Sequence, residues 1–190
     1  AVDQVLLRAA QRSGAKRVVK FDRGGADAAE LAAAGVRRTG GTERLGAGGE
    51  GIAVGLTTHA ACKIAGKLSF DRVVFDEAGQ IPLPHAIGAM RLAPRWLFVG
   101  DHAQLPPVTA GVHADAHALS VFEHLVGRYP STMLETTYRM NDGVCAFASR
   151  RFYGGKLRPS PEAASRRLAL KPGGRSRAVF DPETPSVLVE

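Results

Sequence analysis

Two acidic loop ends hold the side chains of this sequence that are best suited to chemistry. In residues 70–108, FDRVVFDEAGQIPLPHAIGAMRLAPRWLFVGDHAQLPPV, the apolar run Val73-Val74-Phe75 stops at Asp76-Glu77. A second run, Trp96-Leu97-Phe98-Val99, stops one residue short of Asp101. A carboxylate at a strand end can hold Mg2+, directly or through water, because that ion takes oxygen ligands and bridges phosphates. Asp76 fits that role. Glu77 beside it could orient or deprotonate an attacking water, and Gln104 on the next loop is a neutral amide able to sense a terminal phosphate. Together these describe nucleoside triphosphate hydrolysis. An acidic pair alone is also what an ordinary polar strand end looks like, so the reading depends on the surrounding elements.

Short runs rich in Val, Phe and Trp that end at polar residues suit buried parallel strands. Residues 83–92 have room for a short helix, so the unit reads strand, helix, strand. In such a sheet ligands sit beyond the carboxyl ends of the strands, which predicts that Asp76-Glu77 and Gly100-Asp101 share one crevice.

DEAGQ at 76–80, GDHAQLPPV at 100–108 and LETTYRMN at 134–141, in this order and spacing, closely resemble motifs II, III and IV of superfamily 1 helicases. The nearest branch is the one of the nonsense-mediated-decay RNA helicase and the Okazaki-fragment nuclease-helicase. FYGGKL at 152–157 is similar to the segment that follows motif IV there, AVDQVL at 1–6 resembles motif Ia, and GLTTHAA at 55–61 resembles motif Ic. The resemblance covers residues 1 to about 160.

That resemblance implies a RecA-like α/β fold of the P-loop NTPase superfamily, with a parallel sheet and flanking helices. It also implies ATP and Mg2+ as cofactors and a single-stranded or partly duplex nucleic acid as partner, DNA favoured over RNA. By the same token Asp76 holds the metal, Glu77 activates water, Gln104 senses the γ-phosphate, and Gln80, Gly100 and Asp101 lie on the nucleotide side. Arg139 reaches the γ-phosphate across an interdomain cleft, where a guanidinium stabilises charge developing in phosphoryl transfer. Ala1, Val2 and Asp3, together with Thr57, Thr58 and His59, touch the nucleic-acid backbone. The loop of Pro106 and Pro107 lies between the two sites. Without the resemblance, Arg139 reads as a surface charge and residues 2–11 as a plain amphipathic helix. Thr57 or Thr58 reads equally well as a helix N-cap, and one residue can do both jobs.

One departure from the family pattern stands out. A P-loop needs GxxxxGK(S/T), whose backbone N–H groups cradle phosphates. ACKIAGKLS at 61–69 and GGKL at 154–157 come close, but Leu68 and Leu157 occupy the hydroxyl position. The expectation is a piece of a larger protein, with a strand and P-loop standing before Ala1. Residues 1–135 would be the first RecA-like domain without that start, and residues 136–190 the beginning of a second. Such a piece is expected to be inactive alone, within a helicase that moves 5'-to-3' by analogy. The rival readings are a non-catalytic nucleic-acid-binding fragment, an ATPase that remodels protein–nucleic-acid complexes, and the helicase region of a nuclease-helicase fusion.

Composition is compatible with this. The 190 residues are 45% apolar and 23% charged, ordinary for a folded chain. The net charge of +7 favours a polyanionic partner, and most of it lies beyond Ser149, where nine Arg or Lys face four acids. Two distant cysteines argue against a disulfide scaffold and for a reducing compartment, cytoplasmic or, in a eukaryote, nuclear. No membrane span or signal peptide is visible. His113, Asp115 and His117 form an HxDxH that is rejected as a metal site, since no further ligand stands nearby.

Periodicity predicts a helix over 2–11 with Val2, Val5, Leu6, Ala9 and Ala10 inward, then a strand over 17–21. A helix capped by Asp27 follows, then a glycine-rich exposed loop over 40–51, with Arg37, Arg38 and Arg44 on a solvated basic face. A strand over 52–56 and a helix over 60–65 precede the central unit. After it come a helix over 120–129 capped by Ser120, a strand over 132–134, and a helix capped by Asp142 with Phe147 and Phe152 in the core. Beyond residue 157 the chain turns Pro- and Arg-rich, and residues from about 136 onward are expected to lack their sheet.

Overall fold

The computed structural model describes residues 2–12, 17–21, 28–45, 51–108 and 120–167. Ala1, Asp27, the glycines over 46–50, the HxDxH segment and the tail over 168–190 lie outside the described residues. The chain divides into two compact units, Ala1–Tyr129 and Pro130–Glu190.

The first unit opens with helix α1 (Val2–Arg12), which packs on strands β1 (Arg17–Phe21) and β3 (Ile52–Gly55) and on helix α2 (Ala28–Ala33). Its buried residues are Leu6 and Leu7. Val5, expected inward, is exposed: each residue turns the helix by about 100°, and contact with α2 as well as the sheet swings the stripe toward Leu7. Leu6 lies so close to Gly55 that a Cβ there would stand 2.7 Å from it. Leu6, Leu7, Val18, Leu31 and Val36 form one small core. Strand β2 (Arg37–Thr39), where a solvated basic face was expected, pairs with β1; Arg37 is exposed and Arg38 half-buried.

The sheet order is β2-β1-β3, all parallel, with Lys20 opposite Gly55. Helix α3 (Thr58–Ile64) leads to strand β4 (Val73–Phe75), helix α4 (Leu83–Met90) to strand β5 (Trp96–Phe98), and β4 and β5 pair in parallel. Gly88 lets α4 approach α3, since a Cβ there would meet the Cys62 sulfur at 2.5 Å. The Trp96 indole donates to the Met90 carbonyl, satisfying a helix-end acceptor. Ala61, Ile64, Phe75, Ala78, Ala86, Ala89, Leu92 and Val121 make the second core.

The β4 and β5 runs are less buried than two-sided parallel strands would be. Phe75 and Phe98 stack with centroids 4.7 Å apart on the core side, whereas Val74 and Leu97, opposite each other on the other face, are 57% and 51% exposed. The physical reason is one-sided coverage: alternate side chains point to opposite faces, and α3, α4 and their neighbours pack on one.

Helix α5 (Val121–Leu125) is shorter than predicted, because Val126 turns extended and Gly127 takes a left-handed φ of 77°. In the second unit, no strand forms over residues 132–134. Strand β6 (Thr136–Thr137) pairs in parallel with β7 (Arg158–Pro159) instead, and the flanking bond runs from Arg158 N–H to the Glu135 carbonyl. Between them helix α6 (Asp142–Phe152) is capped by Asn141, whose side chain accepts from Val144 N–H; Asp142, the expected cap, is the first helical residue. Phe147 and Phe152 are 65% and 48% exposed, and the small residues Cys145 and Ser149 face inward instead. The short helix α7 (Pro161–Ala164) is capped by Ser160. Among the described residues, no helix is long and apolar enough to cross a membrane.

Candidate active site

Parallel pairing continues past the strand ends and draws the two acidic loops together. Val99 N–H donates to the Phe75 carbonyl and Ala78 N–H to the Val99 carbonyl, both at 2.8 Å. The chain after β4 then bends through Glu77, whose φ of 54° and ψ of 41° lie in the left-handed region. Glu77 is the one residue other than glycine with positive φ among the described residues. A side chain there costs roughly 1–2 kcal/mol, and such outliers cluster at functional sites. A turn of 3-10 helix over Ala78–Gln80 follows, with Ala78 fully buried, while Asp76, Glu77 and Gln80 are exposed at the rim. Among the described residues of this unit, neither the Asp76 nor the Glu77 carboxylate has a hydrogen-bond or ion-pair partner.

The second loop is ordered by its own acid. Asp101 accepts from Ala103 N–H through Oδ1 at 2.9 Å and from the Gln104 amide through Oδ2 at 2.8 Å. Gly100 and Asp101 are half-buried and Gln104 is exposed. The two loops meet backbone to backbone, since a Cβ on Gly79 would lie 2.5 Å from the Asp101 carbonyl oxygen. Helix α5 braces them. Val121 N–H donates to the Ile81 carbonyl, and Ser120 and Glu123 form a reciprocal capping box. Phe122 of that helix faces the His102 ring at 6.4 Å.

The residues expected on the nucleic-acid side lie around β1 and β3. Asp3 is ion-paired with Lys20, Nζ to Oδ1 2.7 Å, and Lys20 sits opposite Gly55 in the sheet. Two residues on, Thr57 caps α3, its Oγ1 accepting from Ala60 N–H at 3.2 Å. Val2 and Thr58 are half-buried and His59 is exposed. Pro107 is buried, so of the two prolines only Pro106 offers its ring at the surface. Arg139 belongs to the second unit, where it is exposed and its backbone N–H donates to the Thr137 hydroxyl at 3.2 Å. The neighbouring Tyr138 carbonyl accepts from Arg166 at 2.7 Å.

Sequence reasoning missed Gly79, Phe122 and Lys20 as parts of this assembly. Gly79 stands inside a recognised motif but carries no side chain to suggest a role, and Phe122 is one apolar residue of the helix predicted over 120–129. The Lys20 pairing with Asp3 depends on a contact between elements.

Known proteins share these segments. A family model described as an AAA domain matches residues 54–111, and a second with the same description matches residues 117–190. The DNA replication ATP-dependent helicase/nuclease dna2 of Schizosaccharomyces pombe is 37% identical over 113 residues, 57% of this chain and 8% of that protein. The two matches and this relative together support a superfamily 1 helicase. The helicase/nuclease JHS1 of Arabidopsis thaliana is 37% identical over 92 residues, 46% of this chain and 7% of its own length. An ATP-dependent helicase of Methanocaldococcus jannaschii, MJ0104, is 31% identical over 109 residues, 56% of the chain and 16% of its own. The chain thus spans a small part of each relative. Its fold is RecA-like α/β, as in P-loop NTPases, and the similarity to helicase/nucleases supports a place in their branch.

Proposed function

We propose that this chain is the central part of a motor that couples ATP hydrolysis to movement along, or unwinding of, nucleic acid. Residues 1–135 belong to its first RecA-like domain and residues 136–190 begin its second. The observation that carries the reading is the joining of the Asp76–Glu77 turn to the Gly100–Gln104 turn at the ends of two parallel strands, where α/β sheets bind ligands.

Glu77, exposed and unpartnered in its unit, is the group that orients or deprotonates the attacking water. Gln104, tethered by Asp101, reads the terminal phosphate. Gln80, Gly100 and Asp101 form the nucleotide-facing wall, and Arg139 supplies positive charge to the γ-phosphate. Asp76 suits Mg2+, because that ion keeps waters and substrate phosphates as most of its ligands and needs only one or two carboxylates from the protein. When bound, Mg2+ would neutralise charge on the phosphates.

The track is read as DNA, because relatives named as DNA replication helicase/nucleases share 37% identity. Its polarity is proposed as 5'-to-3'. Backbone contacts fall to Val2, Thr57, Thr58 and His59, around the Asp3–Lys20 pair, and to Pro106 on the loop that follows β5. The test is ATP hydrolysis by the full-length protein, with and without single-stranded DNA or RNA, paired with strand displacement. DNA-stimulated turnover that Glu77→Gln abolishes supports the reading. Full activity in Glu77→Gln sinks the assignment of the base, and hydrolysis without displacement points to a remodelling ATPase.

A further inference from the structure

Two glycines stand where the candidate loops touch, and neither is needed for an unusual backbone angle, since positive φ occurs elsewhere among the described glycines. Their missing side chains serve space. A Cβ on Gly79 would sit 2.5 Å from the Asp101 carbonyl oxygen, and one on Gly100 would sit 2.8 Å from Gly79 N, 3.0 Å from Ala78 N and 3.2 Å from the Phe122 ring. Separations under 3 Å to backbone atoms leave a methyl group nowhere to go without moving a loop.

Phe122 borders the same space as the Ala78-Gly79 backbone. It cannot drift freely, because Ser120 N–H and hydroxyl both donate to Glu123 and Val121 N–H donates to the Ile81 carbonyl. A slot too narrow for a side chain on Gly100 is therefore bounded by the Ala78-Gly79 backbone and the Phe122 ring together. Glu77 immediately precedes one wall of this slot, and Asp101, with its tether to Gln104, directly follows Gly100.

We infer that Gly79, Gly100 and Phe122 act as positioning residues that fix the distance between Glu77 and the Asp101–Gln104 turn. The inference rests on the ATPase reading above. Its physical basis is that displacing a reacting group by about 1 Å can cost on the order of 100-fold in rate while leaving ligand binding largely intact.

The test uses the full-length protein and measures kcat and KM for ATP, affinity for a fluorescent non-hydrolysable ATP analogue, and the thermal midpoint. Gly79→Ala and Gly100→Ala are expected to lower kcat on the order of 100-fold with analogue affinity changed by about threefold or less. Phe122→Ala is expected to lower kcat about tenfold, and Phe122→Leu, which restores an apolar wall, to regain most of it. Should the glycine variants fail to fold, the two Phe122 variants decide alone, since they add no atoms to the slot. Losses of kcat that track analogue affinity or thermal midpoint across the series would overturn the inference, as would unchanged kcat. Glu77→Gln separates the two levels. If it is inactive while the glycine and Phe122 variants turn over normally, the positioning role fails alone; if it is fully active, the ATPase reading falls and takes this inference with it.

Discussion

Asp101 holds Gln104 by a 2.8 Å hydrogen bond from the glutamine amide to Oδ2, while Oδ1 accepts from the backbone two residues on. A side chain proposed to sense phosphate is thus tethered to an acid of its own loop. Gln104→Glu sets a second negative charge against Asp101 and any phosphate, whereas Gln104→Ala merely removes the contact. Raised KM for ATP is expected in Gln104→Glu, with Gln104→Ala closer to wild type. Equal KM in the two variants would disprove the electrostatic part of this account.

Glu77 combines a proposed catalytic role with an unfavourable backbone conformation, so stability and activity should separate there. Glu77→Gly is expected to stabilise the protein by about 1 kcal/mol, because glycine accepts φ of 54° without penalty. The same change should reduce ATP turnover by roughly 100-fold or more, the usual scale for removing a general base. Denaturant melts and steady-state hydrolysis on the same preparation check both halves.

Thr57 poses the cap-or-contact question directly, since its Oγ1 accepts from Ala60 N–H. Aspartate is as good an N-cap as threonine but repels phosphate. Thr57→Asp should keep the thermal midpoint and weaken single-strand binding, while Thr57→Ala should cost about 1 kcal/mol of stability. A salt titration of DNA affinity would reveal a pure capping role if Thr57→Asp binds like wild type.

Ser120 is fully buried, and its hydroxyl both accepts from Glu123 N–H and donates to the Glu123 carboxylate. Ser120→Ala should cost about 1–2 kcal/mol. Because α5 carries Phe122, activity should fall further than a simple stability loss implies. Hydrolysis measured well below the melting transition would show this.

Arg139 is exposed in its unit, so Arg139→Lys should leave the melting curve unchanged. Lysine keeps the charge but not the planar fork, and a drop in ATP turnover on the order of 1000-fold is expected if the guanidinium acts on the γ-phosphate. Turnover within a few-fold of wild type would mark Arg139 as an ordinary surface charge.

Much of this was legible in the one-dimensional chain, and for a local reason. Strands β1, β4 and β5 and helix α4 are short segments whose apolar runs end at glycine, proline or acid, so residue type alone bounded them. The motif strings carried the family in the same way. The chain's own order also determined that Asp76 and Glu77 follow β4 directly and that Gln104 stands on the loop after β5. Tertiary structure decided the rest, because the rest depends on residues far apart in sequence. Which face of α1 turns inward is set by the elements packed around it, and Phe147 and Phe152 lie outside because the inner side of α6 is taken by Cys145 and Ser149. Strand β6 forms at Thr136–Thr137 because Arg158 and Pro159 are there to pair with it. The slot between Gly79 and Phe122 was invisible for the same reason: a missing Cβ has meaning only once the backbone it would strike is known.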